Sequence, residues 1–557
     1  MGISGLLGMM SCRPYLPRRT PLFRFLRKWG RQQLLKQIPS STATPILRLP
    51  QGNFKEFHDN DSKLRKWKTF SSKELGIDIF MIPKPTRKVL NGLKKKGYEV
   101  YLVGGCVRDL ILNRTPKDFD IITSAELKEV SRTFSWCEIV GMKFPICHVH
   151  IDGSIVEVSS FSTSSRPFDR HLDSAIEKPM NCEEEDYVRW KNCLQRDFTI
   201  NGWLTRFCIL RIHVPISIIQ LLMYDPYNSA VYDYLEGMED IKQAKIRTVV
   251  PACTSFQEDC ARILRAIRVA ARLRFNFAKD TAGSIKKLSC LVSTLNKARL
   301  QMEMNYLLSY GSAEASLRLL WKYGLLEILL PIQAAYFIQY GFRRSDKGSN
   351  MLLSLFSSMD KLLAPNRPCH SSLCEAVSNT VFSYRVAVLA FHVALSDQPR
   401  SPLVVAAFSL AVHNGGNMME AISIAKSIGR AHNVNFHELL EPENLEVQTL
   451  IDEVMDLTTS IKNALHKMTD EHSVSLVLEM YPQAPASYLV FIPLVVYLKV
   501  RKIFECVVEG AEGVFVPKRG KVNYKCLALG DLPELRHVFA RIVFDTVYPL
   551  DLNHTRE

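Results

Sequence analysis

The chain has 557 residues, 47% of them hydrophobic and 23% charged, which excludes a marginal mini-protein and a wholly disordered chain and leaves room for two to four domains. Its net charge of +15 is unevenly spread: residues 1–55 hold ten Lys and Arg and no Asp or Glu, so only about +5 remains for the rest. Global charge therefore does not argue for nucleic-acid binding, and local patches must carry that case.

The acid-free leader, 1–55, contains RRTPLFRFLRKWGRQQLLKQI, in which Leu22, Leu26 and Trp29 align on one side of a helix. This is the pattern of an organellar transit peptide, with a disordered basic arm as the alternative, and it predicts a mitochondrial or chloroplast location. Residues 56–82 read as a linker. From Pro83 the pattern alternates. A helix is predicted near 86–96, then the strand YEVYLVGG, a short helix VRDLIL, the strand DFDIIT and a helix AELKEVSRTF. The strands CEIVGMKFPICHVHI and SIVEVSSFST follow, then a charged loop over 163–190.

Beyond about 255 apolar residues recur at three and four spacings, so helices dominate until a strand signal in GVFVPKRGKVNY near the end. The apolar run APASYLVFIPLVVYL is too short for a membrane span and is broken by Pro493, so it reads as a buried helix. Fourteen cysteines without a CxxC pair predict neither a zinc site nor a disulfide framework, and His148 and His150 in HVH read as packed or solvated side chains. The fold class expected is α+β: a small mixed-sheet head over 83–250, then an all-helical remainder divided near 251–340 and 341–557.

In DFD, alternate strand residues share a face, which sets Asp118 and Asp120 side by side. Paired carboxylates repel unless cations lie between them, and hard oxygen donors favour Mg2+. Glu157 in SIVEVSSF is the candidate third acid on a neighbouring strand, with Asp197 as competitor; a solvated strand edge is the bland alternative. Gly104 and Gly105 close a strand before a helix start, where backbone N–H groups can meet phosphate, and Arg108 adds a forked donor. Farther on, Arg262, Arg265, Arg268 and Arg272 cover about 120° of a helix whose other side is Ile263, Leu264, Ala266, Ile267, Ala270 and Ala271.

LVGGCVRDLIL followed by KDFDIIT resembles the head signature of the bacterial-type tRNA nucleotidyltransferase and poly(A) polymerase family, in the polymerase-β nucleotidyltransferase superfamily. QRDFTING (195–202), VYDYLEGMEDIKQAKIRTV (231–249), EDCARILRAIRVAARLRF (258–275) and LRLLWKYGLLEILLP (317–331) resemble four further family segments in the same order. The resemblance implies nucleotidyl transfer from ATP, or ATP and CTP, to an RNA 3′ end, with two Mg2+ on Asp118 and Asp120. It also implies nucleotide contacts from Gly104, Gly105, Arg108, Arg196, Asp259, Arg262 and Arg265, and RNA contacts from Arg268 and Arg272. EIVGMKFPICHVHI is more similar to the poly(A) polymerase version than to the CCA-adding version, although Met142 departs from it. Gln195, Cys260 and Glu236 are further departures, the last standing where the family prefers Gly, and residues 203–221 are an apolar and basic insertion into a family motif. A catalytically weak RNA-binding pseudoenzyme is the rival from another class.

Overall fold

A computed structural model describes residues 67–116, 118–141, 145–162, 183–194, 222–308, 311–363, 371–468, 494–510 and 520–550. The leader, Arg196, Asp197 and residues 203–221 lie outside the described residues.

Eight short strands form one mixed sheet: β1 (Lys68–Ser71), β2 (Val100–Val103), β3 (Asp120–Thr123), β4 (Cys137–Val140), β5 (Ile146–Ile151), β6 (Ser154–Ser160), β7 (Leu222–Asp225) and β8 (Ala230–Asp233). Their order across the sheet is β1-β8-β7-β2-β3-β6-β5-β4. The β3–β6 pair is parallel and the remaining neighbours are antiparallel. Strand alternation gives the sheet two different faces. One presents Val100, Leu102, Ile121, Val149, Val156 and Val158 to the main core. There the sheet packs on helices α1 (Lys84–Lys95) and α3 (Leu127–Thr133). The other presents Tyr101, Val103, Ile122 and Met223, covered by Trp190 of helix α4 (Glu184–Leu194).

The expected helix near 86–96 is present as α1, begun two residues earlier, and the expected strands around 98–160 are present, shortened at their ends. Two expectations are corrected. The supposed linker contains β1, a four-residue edge strand too short to show alternation, which pairs with β8 from Lys68↔Asp233 to Ser71↔Ala230. The supposed loop after 163 contains α4, whose first turn holds Glu184, Glu185 and Asp186. Acids there favour helix initiation through the macrodipole, and Tyr187 and Trp190, three apart, supply the buried side.

Helix α2 (Gly105–Ile111) follows β2, α5 (Gly237–Lys242) follows β8, and a two-residue parallel pair, β9 (Lys245–Ile246) with β10 (Asn276–Phe277), pins the chain below. Between those two strands lie α6 (Ala252–Glu258) and α7 (Ala261–Leu273). From there the described residues are helical apart from connections. Helices α8 (Lys279–Leu288), α9 (Lys297–Leu307), α10 (Ala313–Lys322), α11 (Leu326–Leu329), α12 (Pro331–Gln339) and α13 (Met351–Leu362) come first. The series closes with α14 (Ser371–Asp397), α15 (Pro402–His413), α16 (Met418–Lys426), α17 (Val447–Lys467), α18 (Leu494–Glu509), α19 (Tyr524–Leu529) and α20 (Leu532–Val547).

The last group closes on four buried rings: Phe391 stacks on Phe408 at 6.0 Å, and Phe539 meets Phe504 edge-on at 5.1 Å. The expected strand near 513–524 is not found in its described part, where Tyr524 opens α19; residues 511–519 lie outside the described residues. Nor is the described part of APASYLVFIPLVVYL wholly buried: α18 is amphipathic, with Val496 enclosed and Leu494, Val495 and Leu498 exposed. No helix of the described residues is long and apolar enough to cross a membrane.

Candidate active site

The turn after β2 needs a glycine. Gly104 sits at φ 80°, ψ −136°, a backbone conformation closed to residues with a Cβ, and it directly precedes α2. That geometry places Arg108 one turn into α2, 2% exposed, with Nε and Nη2 donating to Asp109 Oδ1 at 2.8 and 2.5 Å. Asp109 also reaches a second element, since its Oδ2 lies 3.7 Å from Nη2 of Arg272 on α7. The sequence reading missed Asp109, although it stands next to Arg108 in the quoted VRD.

Arg272 joins the two motifs that sequence separates by more than 150 residues. Burial lowers its pKa most, Asp109 opposes that, Arg108 lowers it further, and Asp118 raises it. The charge of the DFD acid is thus felt at the arginine helix.

Asp120 opens β3 and is 8% exposed, whereas Asp118 stands two residues earlier and is exposed. Register places Val103, Asp120, Glu157, His148 and Glu138 side by side on β2, β3, β6, β5 and β4. Glu157 is thus beside Asp120 on the neighbouring strand, as expected, but its carboxylate faces His148 (Oε1 to Nε2 3.8 Å). Among the described residues no group of three or more His, Cys, Asp or Glu is close enough to hold a metal ion. The donors that remain, two hard carboxylates at one strand end, suit Mg2+, which is held by one or two carboxylates with waters and substrate phosphates completing its shell.

The other half of the site is α7. Its four arginines do not form the open basic face that spacing predicts: Arg262, Arg265 and Arg268 are buried, and each meets an acid. Arg262 Nη1 donates to Glu258 Oε2 at 2.5 Å and to the carbonyl of Ser255 at 3.2 Å. Arg265 Nη2 donates to Asp259 Oδ2 at 2.6 Å. Arg268 Nη1 lies 3.3 Å from Glu303 Oε2 with its guanidinium 5.2 Å from the Tyr306 ring centre. Glu303, 1% exposed, also forms an ion pair with Arg299, whose Nε lies 3.4 Å from Oε1. Burial would raise the pKa of Asp259, but Arg265, Arg299 and Arg262 outweigh it and hold the carboxyl below its usual range. Glu303 and Arg299 were not anticipated; the four-residue spacing RLQME is the signal that could have found them.

Residues 100–247 match the poly A polymerase head domain, and residues 274–337 match the family described as "Probable RNA and SrmB- binding site of polymerase A". Over these residues the chain is similar to the bacterial-type tRNA nucleotidyltransferase and poly(A) polymerase family. Poly(A) polymerase I of Haemophilus influenzae is 31% identical over 285 residues, covering 50% of this chain and 57% of that protein. The CCA-adding enzyme of Bacillus pumilus is 30% identical over 232 residues, 42% of this chain and 51% of the relative. The chain spans little more than half the length of these curated relatives. A solved CCA-adding enzyme in complex with ATP aligns at 17% identity and a TM-score of 0.40, covering 79% of this chain and 86% of that one.

Proposed function

We propose that the protein is a template-independent RNA nucleotidyltransferase of the poly(A) polymerase type, extending RNA 3′ ends from ATP, with CCA addition to tRNA from CTP and ATP as the second reading. One observation carries the proposal: Asp109 ties Arg108 of the glycine-turn motif to Arg272 of α7, so the DFD acids and the arginine helix face one site. Relatives of both names support nucleotidyl transfer, and the poly(A) preference rests on EIVGMKFPICHVHI, of which residues 142–144 lie outside the described residues.

In this reading Asp118 and Asp120 hold Mg2+, which when bound favours deprotonation of the RNA 3′-hydroxyl and neutralises charge on the phosphates. Gly104 lets the backbone approach the triphosphate, and Arg108 and Arg272 turn from Asp109 toward it, replacing one anion by another. Asp259 accepts from the exocyclic amine of the base while Arg265 fixes the carboxylate's orientation, and Arg262 is held by Glu258 and Ser255 for the same edge. Arg268 supports the helix from within, and Arg272 is the α7 arginine best placed for phosphate. Arg196 keeps the nucleotide contact that the resemblance implies, and Asp197 stays the competitor of Glu157 for the third acid. The head over 83–250 performs the transfer, and the helices after 251 hold the RNA.

The test is incorporation of labelled ATP or CTP, supplied singly with magnesium, into an unstructured RNA and into a tRNA lacking its CCA end. Long A tails from ATP alone support the poly(A) reading, and C, C, A addition confined to tRNA replaces it. No incorporation, with Asp118→Ala indistinguishable from the parent, leaves the pseudoenzyme. The acid-free leader further supports import into a mitochondrion or chloroplast, tested by the location of a fluorescent fusion with and without residues 1–55.

A further inference from the structure

The active-site row Asp120, Glu157, His148, Glu138 ends at edge strand β4, and one step farther along the same face stands an exposed aromatic pair. Trp136 and His150 lie opposite each other, with the His150 N–H donating to the Trp136 carbonyl at 3.0 Å. Their rings stack with centres 4.4 Å apart and planes 10° apart. His150 Nε2 lies 3.2 Å from Glu138 Oε1, which holds the second ring of the stack. Trp136 is 66% exposed, an unusual place for so much apolar ring.

Strand alternation puts both rings on the face of Asp120, at the end of the sheet where Asp118 stands. Three strand spacings of about 4.8 Å separate β3 from β4, so Trp136 is about 14 Å from the carboxylates, within a few nucleotides' reach along an extended RNA.

We propose that the open face of Trp136 is a stacking subsite for a base of the RNA strand whose 3′ end enters the site at Asp118, a proposal that rests on the nucleotidyltransferase reading. Three features favour a base over a phosphate or a peptide. The surface is a flat ring backed by a second flat ring, it continues the face of the candidate active site, and the carboxylate against the backing ring is that of Glu138, which repels phosphate but not a neutral base. Stacking of this kind is sequence-tolerant, as extension of varied RNA ends requires.

The experiment uses the full chain with Trp136→Leu and Trp136→Phe, a fluorescent single-stranded oligoadenylate, and separate titration of ATP. The expected result is about 10-fold weaker RNA binding for the Leu variant, nearly parental binding for the Phe variant, and an unchanged KM for ATP in both. Parental RNA affinity in the Leu variant overturns the proposal, and so does equal loss in both variants accompanied by a raised ATP KM, which marks a structural role. A change in sedimentation without a change in RNA affinity assigns the ring to a protein contact and overturns it as well. If RNA binding depends on Trp136 but no nucleotide is incorporated in an Asp118-dependent way, the stacking site stands and the catalytic reading fails. A parent chain that binds no RNA overturns both.

Discussion

Asp118 and Asp120 differ in what each change would reveal. Asp118 is exposed, so Asp118→Ala is expected to abolish incorporation while leaving the thermal midpoint within about 1 °C of the parent, measured side by side by calorimetry and by the labelled-nucleotide assay. Glu236 shows a different residue-scale effect. It sits at φ 63°, ψ 30°, in the left-handed region, ahead of α5. Among the described residues its carboxylate gains only a solvent-exposed approach to Arg247 at 3.6 Å. Glu236→Gly is expected to stabilise the fold by about 1 kcal/mol in urea titrations, because glycine adopts that conformation without strain. The departure from glycine was legible in the sequence; its cost was not, since φ belongs to the folded turn. Residue identity likewise pointed to Asp118, Asp120 and Arg108. It did not reveal Asp109 as the ion bridging Arg108 and Arg272, because a carboxylate's partner across a fold leaves no local pattern.

Helix α7 was placed correctly by its periodicity, yet its polar side was misjudged as open. Spacing tells which residues share a stripe, but not that α6 and α9 bring Glu258 and Glu303 against it. On its apolar side Leu264 is fully buried, and Leu264→Ala is expected to cost about 3 kcal/mol in urea unfolding. The start of α10 offers a pH test. Asp360 of α13 accepts the N–H groups of Ala313 and Glu314 at 3.1 and 3.0 Å. Burial nevertheless raises its pKa to about 6, against those hydrogen bonds. The folded carboxyl therefore keeps a proton that the unfolded one, with its ordinary pKa near 4, has already lost. Stability from this group is full below about pH 4 and falls as pH climbs to about 6, by about 3 kcal/mol. Asp360→Asn is expected to flatten that interval, read from urea midpoints at pH 4.5, 5.5 and 7; an unchanged slope would show that other groups set it.

For the whole molecule, α+β class and the order of the motifs were legible because strand and helix periods differ and because the motifs are local. Strand β1 was not, being four residues long and held by pairing with β8 and by the packing of Phe70 against the core. Residues 203–221 run directly into β7, a strand paired on both sides. A chain lacking them is expected to incorporate nucleotide at least 10-fold faster than the parent, because Arg196 and Asp197 would then be tied closely to the sheet; equal rates would show that the insertion is accommodated. The family match begins at residue 100, but the sheet does not. A fragment cut to that match would lose β1, leaving the outer N–H and C=O groups of β8 bare, and would lose α1 from over the apolar face. Such an edge recruits other strands, so the trimmed domain would associate with itself at concentrations where a chain begun before Lys68 stays monodisperse.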